Sequence, residues 1–168
     1  MFSKDMQQHI RSTFEGKRQR REKHIPKELQ SLIGEANKMY TFGRFEEAIP
    51  LFESVIKQRP DLADMTHTMS LIYEEMNDID RAFTFLLLSA VEVRTDSDRW
   101  RRCAELATRI NHLNPAIYCL NRAFKALNVE TQYMEVLDLK LRKIQIYNLK
   151  RDWVSIIRTV DRQIKFLK

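Results

Sequence analysis

The chain of 168 residues is 43% apolar and 31% charged, with three Gly that stand at least nine residues apart and four Pro, so it lacks the clustered glycines of phosphate-cradling loops and the frequent turn residues of an all-β fold. Cys103 and Cys119 alone supply neither a disulfide framework nor a four-ligand zinc set, the opening MFSKDMQQHI lacks the apolar core of a signal peptide, and the longest apolar run, Phe85-Leu86-Leu87-Leu88, is far short of a membrane span, so a soluble protein of a reducing, intracellular compartment is the expectation. The net charge of +6 is uneven: the basic opening, 1–28, is followed by an acidic stretch, 29–96, and a strongly basic one, 97–168, a pattern that constrains partners rather than fold.

Residues 1–28 read as a basic, largely flexible arm. The run Lys17-Arg18-Gln19-Arg20-Arg21-Glu22-Lys23 has no apolar residue, and Pro26 separates it from the rest of the chain. Met6, Ile10 and Phe14 are spaced for one short amphipathic helix, too little to bury a core of its own. Arg18, Arg20, Arg21 and Lys23 have two readings. One is a solvated arm; the other is a nuclear-import signal or an arm that contacts phosphates, since dense Lys/Arg attracts acidic receptor grooves and nucleic acid alike.

From residue 29 onward the chain repeats. Ala48, Ala82 and Ala116 stand 34 residues apart. Phe52, Leu86 and Leu120 follow them by four, Val55, Ser89 and Ala123 by seven, and Ala36, Ser70 and Ala104 precede them by twelve. Such columns describe a translated helical hairpin: small residues let its two helices approach closely, and larger ones fill between hairpins. The first unit, 29–62, has Gly43 at its turn and closes on Pro60. Pro50 falls in the first turns of its second helix, where the missing N–H costs least, so that helix is expected to survive. The second unit, 63–96, turns at Asn77-Asp78, and its run Phe83–Val91 reads as a helix buried on most sides. The third, 97–130, opens with Trp100, turns near Asn111, and carries Pro115 at the start of its second helix. The fourth, 131–168, is stretched: Ile156 lies 40 residues after Ala116. The excess is expected in a longer first helix over about 131–148, with Val136, Leu137, Leu141, Ile144 and Tyr147 as its buried stripe. No polar capping helix comes after Phe166-Leu167-Lys168, so either more chain or a partner is expected to cover that end.

No constellation supports catalysis. His9, His24, His67 and His112 are scattered, both cysteines suit small core positions, and acid pairs such as Glu46-Glu47 and Glu74-Glu75 suit helix ends or solvent. Neither a cofactor nor a metal is expected.

Period and columns together resemble the tetratricopeptide repeat family. The resemblance implies an all-α solenoid of about four helical hairpins in a right-handed superhelix, whose first helices line a concave groove for protein partners. In that register the groove positions are Asn37, Tyr40 and Thr41, then His67, Leu71 and Glu75, then Arg101, Arg102, Glu105 and Arg109, and finally Gln145 and Asn148. A groove neutral to acidic at one end and arginine-rich at the other suits an extended or helical peptide. The carboxylate-gripping subtype of the family is disfavoured: the matching positions read Ile33, Asn37, Thr68, Asp98 and Arg102, and only two of them fit. The stretches ELQSLIGEANKMY, GRFEEAI, LIYEEMNDIDRAFTF, WRRCAELA and NPAIYCLNRAFKAL (within 27–128) resemble the tetratricopeptide subunits of RNA polymerase III transcription factor IIIC. That likeness implies a nuclear, non-catalytic scaffold that helps to recruit factor IIIB, with factor IIIC and IIIB components as partners, no membrane contact, and nucleic acid reached through the arm or through the complex. A generic tetratricopeptide adaptor and a nucleic-acid-binding helical repeat are the alternatives.

Overall fold

The computed structural model describes residues 25–127 and 131–166. Among these, eight α-helices and no strand are found. In chain order they are α1 (Lys27–Thr41), α2 (Phe45–Gln58), α3 (Ala63–Glu75), α4 (Ile79–Glu92), α5 (Ser97–Arg109), α6 (Leu113–Ala126), α7 (Tyr133–Leu149) and α8 (Trp153–Phe166). They pair as antiparallel hairpins, α1 on α2, α3 on α4, α5 on α6 and α7 on α8. The chain divides into two compact units, one ending at Val93 and the other beginning at Arg94. The basic run with Arg18, Arg20, Arg21 and Lys23 lies outside the described residues.

Each hairpin turns by the same local device. Gly43, Asn77, Asn111 and Arg151 all have φ between 56° and 70°. These are the left-handed residues that end a helix. The residue after each donates its N–H to a carbonyl one turn and more back: Arg44 to Met39, Asp78 to Tyr73, His112 to Ala107 and Asp152 to Tyr147, at 2.7–3.0 Å. This Schellman pattern satisfies carbonyls that the ending helix leaves open. Two of the four turns go further. Asp78 accepts from the Arg81 N–H and Asp152 from the Ser155 N–H, each at 3.1 Å, which caps α4 and α8. Arg44 and His112 occupy the same place without a side-chain cap.

The repeat columns are the core. All twelve column residues, from Ala36 to Ala123, are buried. In the compact unit ending at Val93, α4 buries Ala82, Phe83, Leu86, Leu87, Ser89, Ala90 and Val91. The polar residue among these is satisfied, since the Ser89 hydroxyl donates to the Ala63 carbonyl at 2.7 Å. Helix α2 continues through Pro50. In the second unit the Trp100 indole is fully buried and donates to the Arg94 carbonyl at 3.2 Å. Cys103 and Cys119 are buried free thiols; burial pushes the Cys103 thiol up, and its contact with Cys119 adds to that. Both behave as small core residues.

The fourth hairpin corrects one expectation. Helix α7 is the longest of the eight at 17 residues, in keeping with the stretched spacing, but its stripe is misplaced. Val136 is buried, whereas Leu137, Ile144 and Tyr147 are only half-buried and Leu141 is exposed; Leu139 and Ile146 are buried in their stead. Spacings of three and then seven are the narrow seam of a helix gripped along one line by α6 and α8. Counting apolar residues over 17 positions blurs that line, because a 3.6-residue period drifts against a heptad.

Candidate functional site

In the second unit, the first helices α5 and α7 face each other across a cavity of about 330 Å³. Ala104, Leu120, Ile146 and Leu149 give it an apolar floor and wall, and Glu105, Thr108, Arg109, Arg142 and Gln145 its polar rim. The small Ala104 at the helix crossing opens the floor, and Glu105, Thr108 and Arg109 succeed it along the same face of α5.

The rim is organised by charge. The Arg142 guanidinium donates to Asp138 at 2.7 Å, one turn back on α7, and to Glu105 at 2.6 Å across on α5. Arg102 lies 3.9 Å from the second Glu105 oxygen. Burial alone would favour a neutral Arg142, but the hydrogen bonds and charges of Asp138 and Glu105 outweigh it and hold the guanidinium firmly charged. The network is only partly exposed, so it fixes the spacing of α5 and α7 better than a lone surface pair would.

The groove residues expected from the sequence fall into several places. Glu105, Arg109 and Gln145 line this cavity. Arg102 borders it through Glu105, while Arg101 is engaged by Asp98 at 2.6 Å on its own helix. The Asn148 carbonyl accepts the Arg151 N–H in the α7–α8 turn, and the residue is exposed. Asn37, Tyr40, Thr41, His67, Leu71 and Glu75 belong to the first unit. There, Asn37, Thr41 and Glu75 are exposed and Tyr40, His67 and Leu71 half-buried. The Thr41 hydroxyl donates to the Asn37 carbonyl, and the Tyr40 ring lies 6.1 Å from that of Phe45.

Arg142, Ile146 and Leu149 were not among the expected groove residues. Their signal was present: once Val136, Leu139 and Ile146 form the seam, Arg142, Gln145 and Leu149 fall beside it on the flank toward α5. The misplaced stripe hid them.

A second cavity, also about 330 Å³, lies between α6, α7 and α8. Leu120, Phe124 and Leu139 line its apolar part, and Asn121, Thr159, Lys140, Lys143 and Arg162 the remainder. Lys143 donates to the Asn121 side-chain carbonyl at 2.7 Å and lies 5.6 Å from the centre of the Tyr147 ring. Lys140 stands 5.9 Å from the centre of the Phe124 ring. Burial pulls the pKa of both lysines below its ordinary value, and the charge of Arg162 lowers Lys143 further. No group of metal-binding side chains occurs among the described residues, and no described helix is long and apolar enough to cross a membrane.

No protein-family model matches the chain. Two proteins are similar in sequence. The chain is 30% identical over 118 residues to general transcription factor 3C polypeptide 3 of Homo sapiens, a match covering 70% of this chain and 13% of that protein. It is 28% identical over 105 residues to the transcription factor tau 131 kDa subunit of Saccharomyces cerevisiae, covering 62% and 10%. The chain thus spans only about a tenth of the relatives it matches. Among solved structures, MamA superposes with a TM-score of 0.60 at 18% identity, covering 82% of this chain and 72% of that one. The Yersinia enterocolitica secretion chaperone SycD, in complex with a peptide of the translocator YopD, gives 0.57 at 17% identity, covering 75% and 97%. The first tetratricopeptide domain of Spaghetti, bound to an HSP90 peptide, gives 0.51 at 16% identity, covering 70% and 95%. The fold is that of the tetratricopeptide repeat, and the sequence resembles transcription factor IIIC subunits.

Proposed function

We propose that this tetratricopeptide-repeat chain, similar in sequence to factor IIIC subunits, is a non-catalytic protein-interaction scaffold that takes part in recruiting factor IIIB for RNA polymerase III transcription. The observation that carries the reading is the α5–α7 cavity. An apolar floor of Ala104, Leu120 and Ile146, with Leu149 at its exposed edge, beside the charged rim of Glu105, Arg109 and Arg142 is the chemistry of a peptide groove, in which apolar anchors supply affinity and charges supply register. Arg109, the exposed cation at one end of the rim, is placed for an acidic residue of the partner, and Arg can meet a carboxylate with two hydrogen bonds. An acidic segment of a factor IIIB component is the ligand that fits. The charge network supports the reading, since Arg142, steadied by Asp138 on its own helix, ties the α7 wall to Glu105 on α5. Arg18, Arg20, Arg21 and Lys23 would carry the protein into the nucleus.

The test is affinity purification of the tagged chain with mass spectrometry, beside an Arg109→Glu variant of unchanged melting temperature. Factor IIIC and IIIB components should be enriched with the native chain and reduced with the variant. In titration calorimetry at two salt concentrations, loss of the exposed Arg109 contact should cost about 0.2–1 kcal/mol, more at low salt. Equal recovery of those components by the variant would move the groove elsewhere. Their absence from both samples would favour an adaptor of another complex. Replacing the four basic arm residues by Ala should leave the tagged protein in the cytoplasm, as fluorescence microscopy would read.

A further inference from the structure

Among the described residues nine large apolar side chains are exposed, and seven of them belong to the fourth hairpin. They are not scattered. On α7, Met134, Leu137, Leu141 and Ile144 follow one another at intervals of three, four and three, the spacing by which a helix presents a seam to another helix. This line is distinct from the one that holds α7 in the fold. Val136, Leu139 and Ile146 are buried, whereas Met134 and Leu141 are 70% and 51% exposed and Leu137 and Ile144 half-buried. On α8, Trp153, Ile157 and Val160 repeat the pattern at intervals of four and three, with Val154 beside them, all four exposed. Ser155, Ile156 and Thr159, half-buried, occupy the opposite face. Helices α7 and α8 are antiparallel neighbours, and on each the exposed line lies opposite the packed one. The hairpin thus has a second apolar side that the fold does not cover.

We propose that this side docks an amphipathic helix of a partner polypeptide, one that carries apolar anchors on one face and Asp or Glu along its flanks. Spacing argues for a helix. Two seams of this kind on neighbouring helices leave a groove that accepts the side chains of a third helix as knobs into holes, and an amphipathic helix fills such a groove with one face. Anchor chemistry agrees: an exposed Trp among aliphatic side chains is the composition of an interface centre. Charge chooses among the occupants. Residues 131–168 hold nine Lys or Arg against four acids. Two of those acids are engaged within the hairpin, Asp138 by Arg142 and Asp152 by Ser155 at the start of α8. Arg151, Arg158 and Arg162 are exposed on the turn and along α8, with Asp161 the exposed acid among them. A helix with acidic flanks gains from that field, and one with basic flanks loses. A second copy docked through the same side would set Arg158 and Arg162 against their own counterparts, and the basic run Lys17–Lys23 of this chain has the wrong sign. The surface is separate from the α5–α7 groove, since none of Met134, Leu141, Trp153 and Ile157 lines that cavity.

The probe is a synthetic helix of three heptads with Leu at the a and d positions and Glu along its flanks, beside the same helix with Lys flanks, each kept below its own association concentration. Trp153 is 59% exposed and Trp100 fully buried, so iodide quenching and a blue shift of emission both read Trp153. Alone, the full chain should sediment as a monomer whose Trp153 iodide can reach. The Glu-flanked helix should shift the emission, shield Trp153 and bind about tenfold more tightly than the Lys-flanked one. Ile157→Asp and Leu141→Asp should each weaken it about tenfold with circular dichroism unchanged. Should either unfold, Val154→Ser reports on the same side from an exposed position. Arg158→Glu with Arg162→Glu should invert the preference between the two helices. Arg109→Glu should leave the binding unaltered, whether or not the α5–α7 groove takes a peptide. Equal affinity for the two helices would overturn the acidic partner. Binding of neither, or binding insensitive to the apolar variants, would overturn the docking side. A dimer that Ile157→Asp dissociates would replace the partner by a second copy, and Trp153 shielded from iodide in the monomer would replace it by a segment of this chain.

Discussion

The second and fourth hairpins begin from the same local chemistry and end in different surroundings. Both turn on a left-handed residue, Asn77 or Arg151, both close the preceding helix with a Schellman hydrogen bond, and both start the next helix on an Asp cap. Yet α3 and α4 bury thirteen side chains between them, while α7 buries Val136, Leu139 and Ile146 and the described side chains of α8 include no buried one. Trp153, Val154 and Ile157 are each about 60% exposed. The difference teaches that turn and cap are decided within a few residues, whereas burial depends on how many neighbours a helix has. Helix α3 is flanked by α2 and α4; α8 packs against α7.

The most severe way to expose that difference is to truncate the same column in both hairpins. Leu86 and Val160 each lie four residues after the helix-crossing position, Ala82 or Ile156. Leu86 is 1% exposed and Val160 is 39% exposed. Leu86→Ala should destabilise by about 2–5 kcal/mol, the cost of a buried cavity, and Val160→Ala by roughly 0.5 kcal/mol or less. Chemical denaturation of the two variants reads both. Similar losses would mean that α8 is covered in solution by something that seats on its apolar face.

The turns should behave in the opposite way, by residue type rather than by neighbourhood. Gly43 has φ +70° and open space around a hypothetical Cβ, so Gly43→Ala should cost about 1–2 kcal/mol from backbone conformation alone. Arg151, exposed at its turn, holds φ 56°. Arg151→Gly should therefore stabilise, by about 0.5–1 kcal/mol once the glycine's extra chain entropy is subtracted. A rise in thermal midpoint for Arg151→Gly and a fall for Gly43→Ala is the expected pair.

The smallest effect concerns the caps. The Arg81 N–H and guanidinium hold the Asp78 carboxyl below its ordinary value, and the Ser155 hydroxyl and N–H do the same for Asp152. A carboxylate with a lowered folded-state pKa contributes stability that is complete above its unfolded value, near 3.8, and is lost as pH falls through the folded value. Stability should thus decline on acidification below about pH 4. Asp78→Asn and Asp152→Asn, which keep the capping oxygen and lose the charge, should each flatten that decline by a similar small amount in thermal melts at about pH 3 and pH 7. Unequal flattening would show that hairpin surroundings reach the caps as well.

Much of this was legible because it repeats. A column that returns every 34 residues samples the same place in the fold three times, so Ala36, Ala48, Phe52 and Val55 could be assigned to the core by comparison with their counterparts. The fourth unit offered no such averaging. Its extra residues broke the register, and Leu141 was placed inside where the structure exposes it. The same slip hid Arg142, whose importance comes from Glu105, 37 residues earlier. At Arg101 the structure adds a neighbour that the groove register did not consider: Asp98, three residues before it on the same helix, pairs with it at 2.6 Å.

What the amino-acid sequence determined by itself was the helical hairpin, its period, its turns and its small-residue crossings, since each depends on contacts within one repeat or between adjacent ones. Tertiary structure alone decided which side of α7 is buried, that Arg142 meets Glu105 across from α5, and that one cavity has Glu105 in its lining while its neighbour gathers Lys140, Lys143 and Arg162 without a lining acid among the described residues. The physical reason is range. Backbone turns and close packing are satisfied over a few ångströms along the chain, but the electrostatic character of a cavity is set by side chains that meet only once three helices have come together.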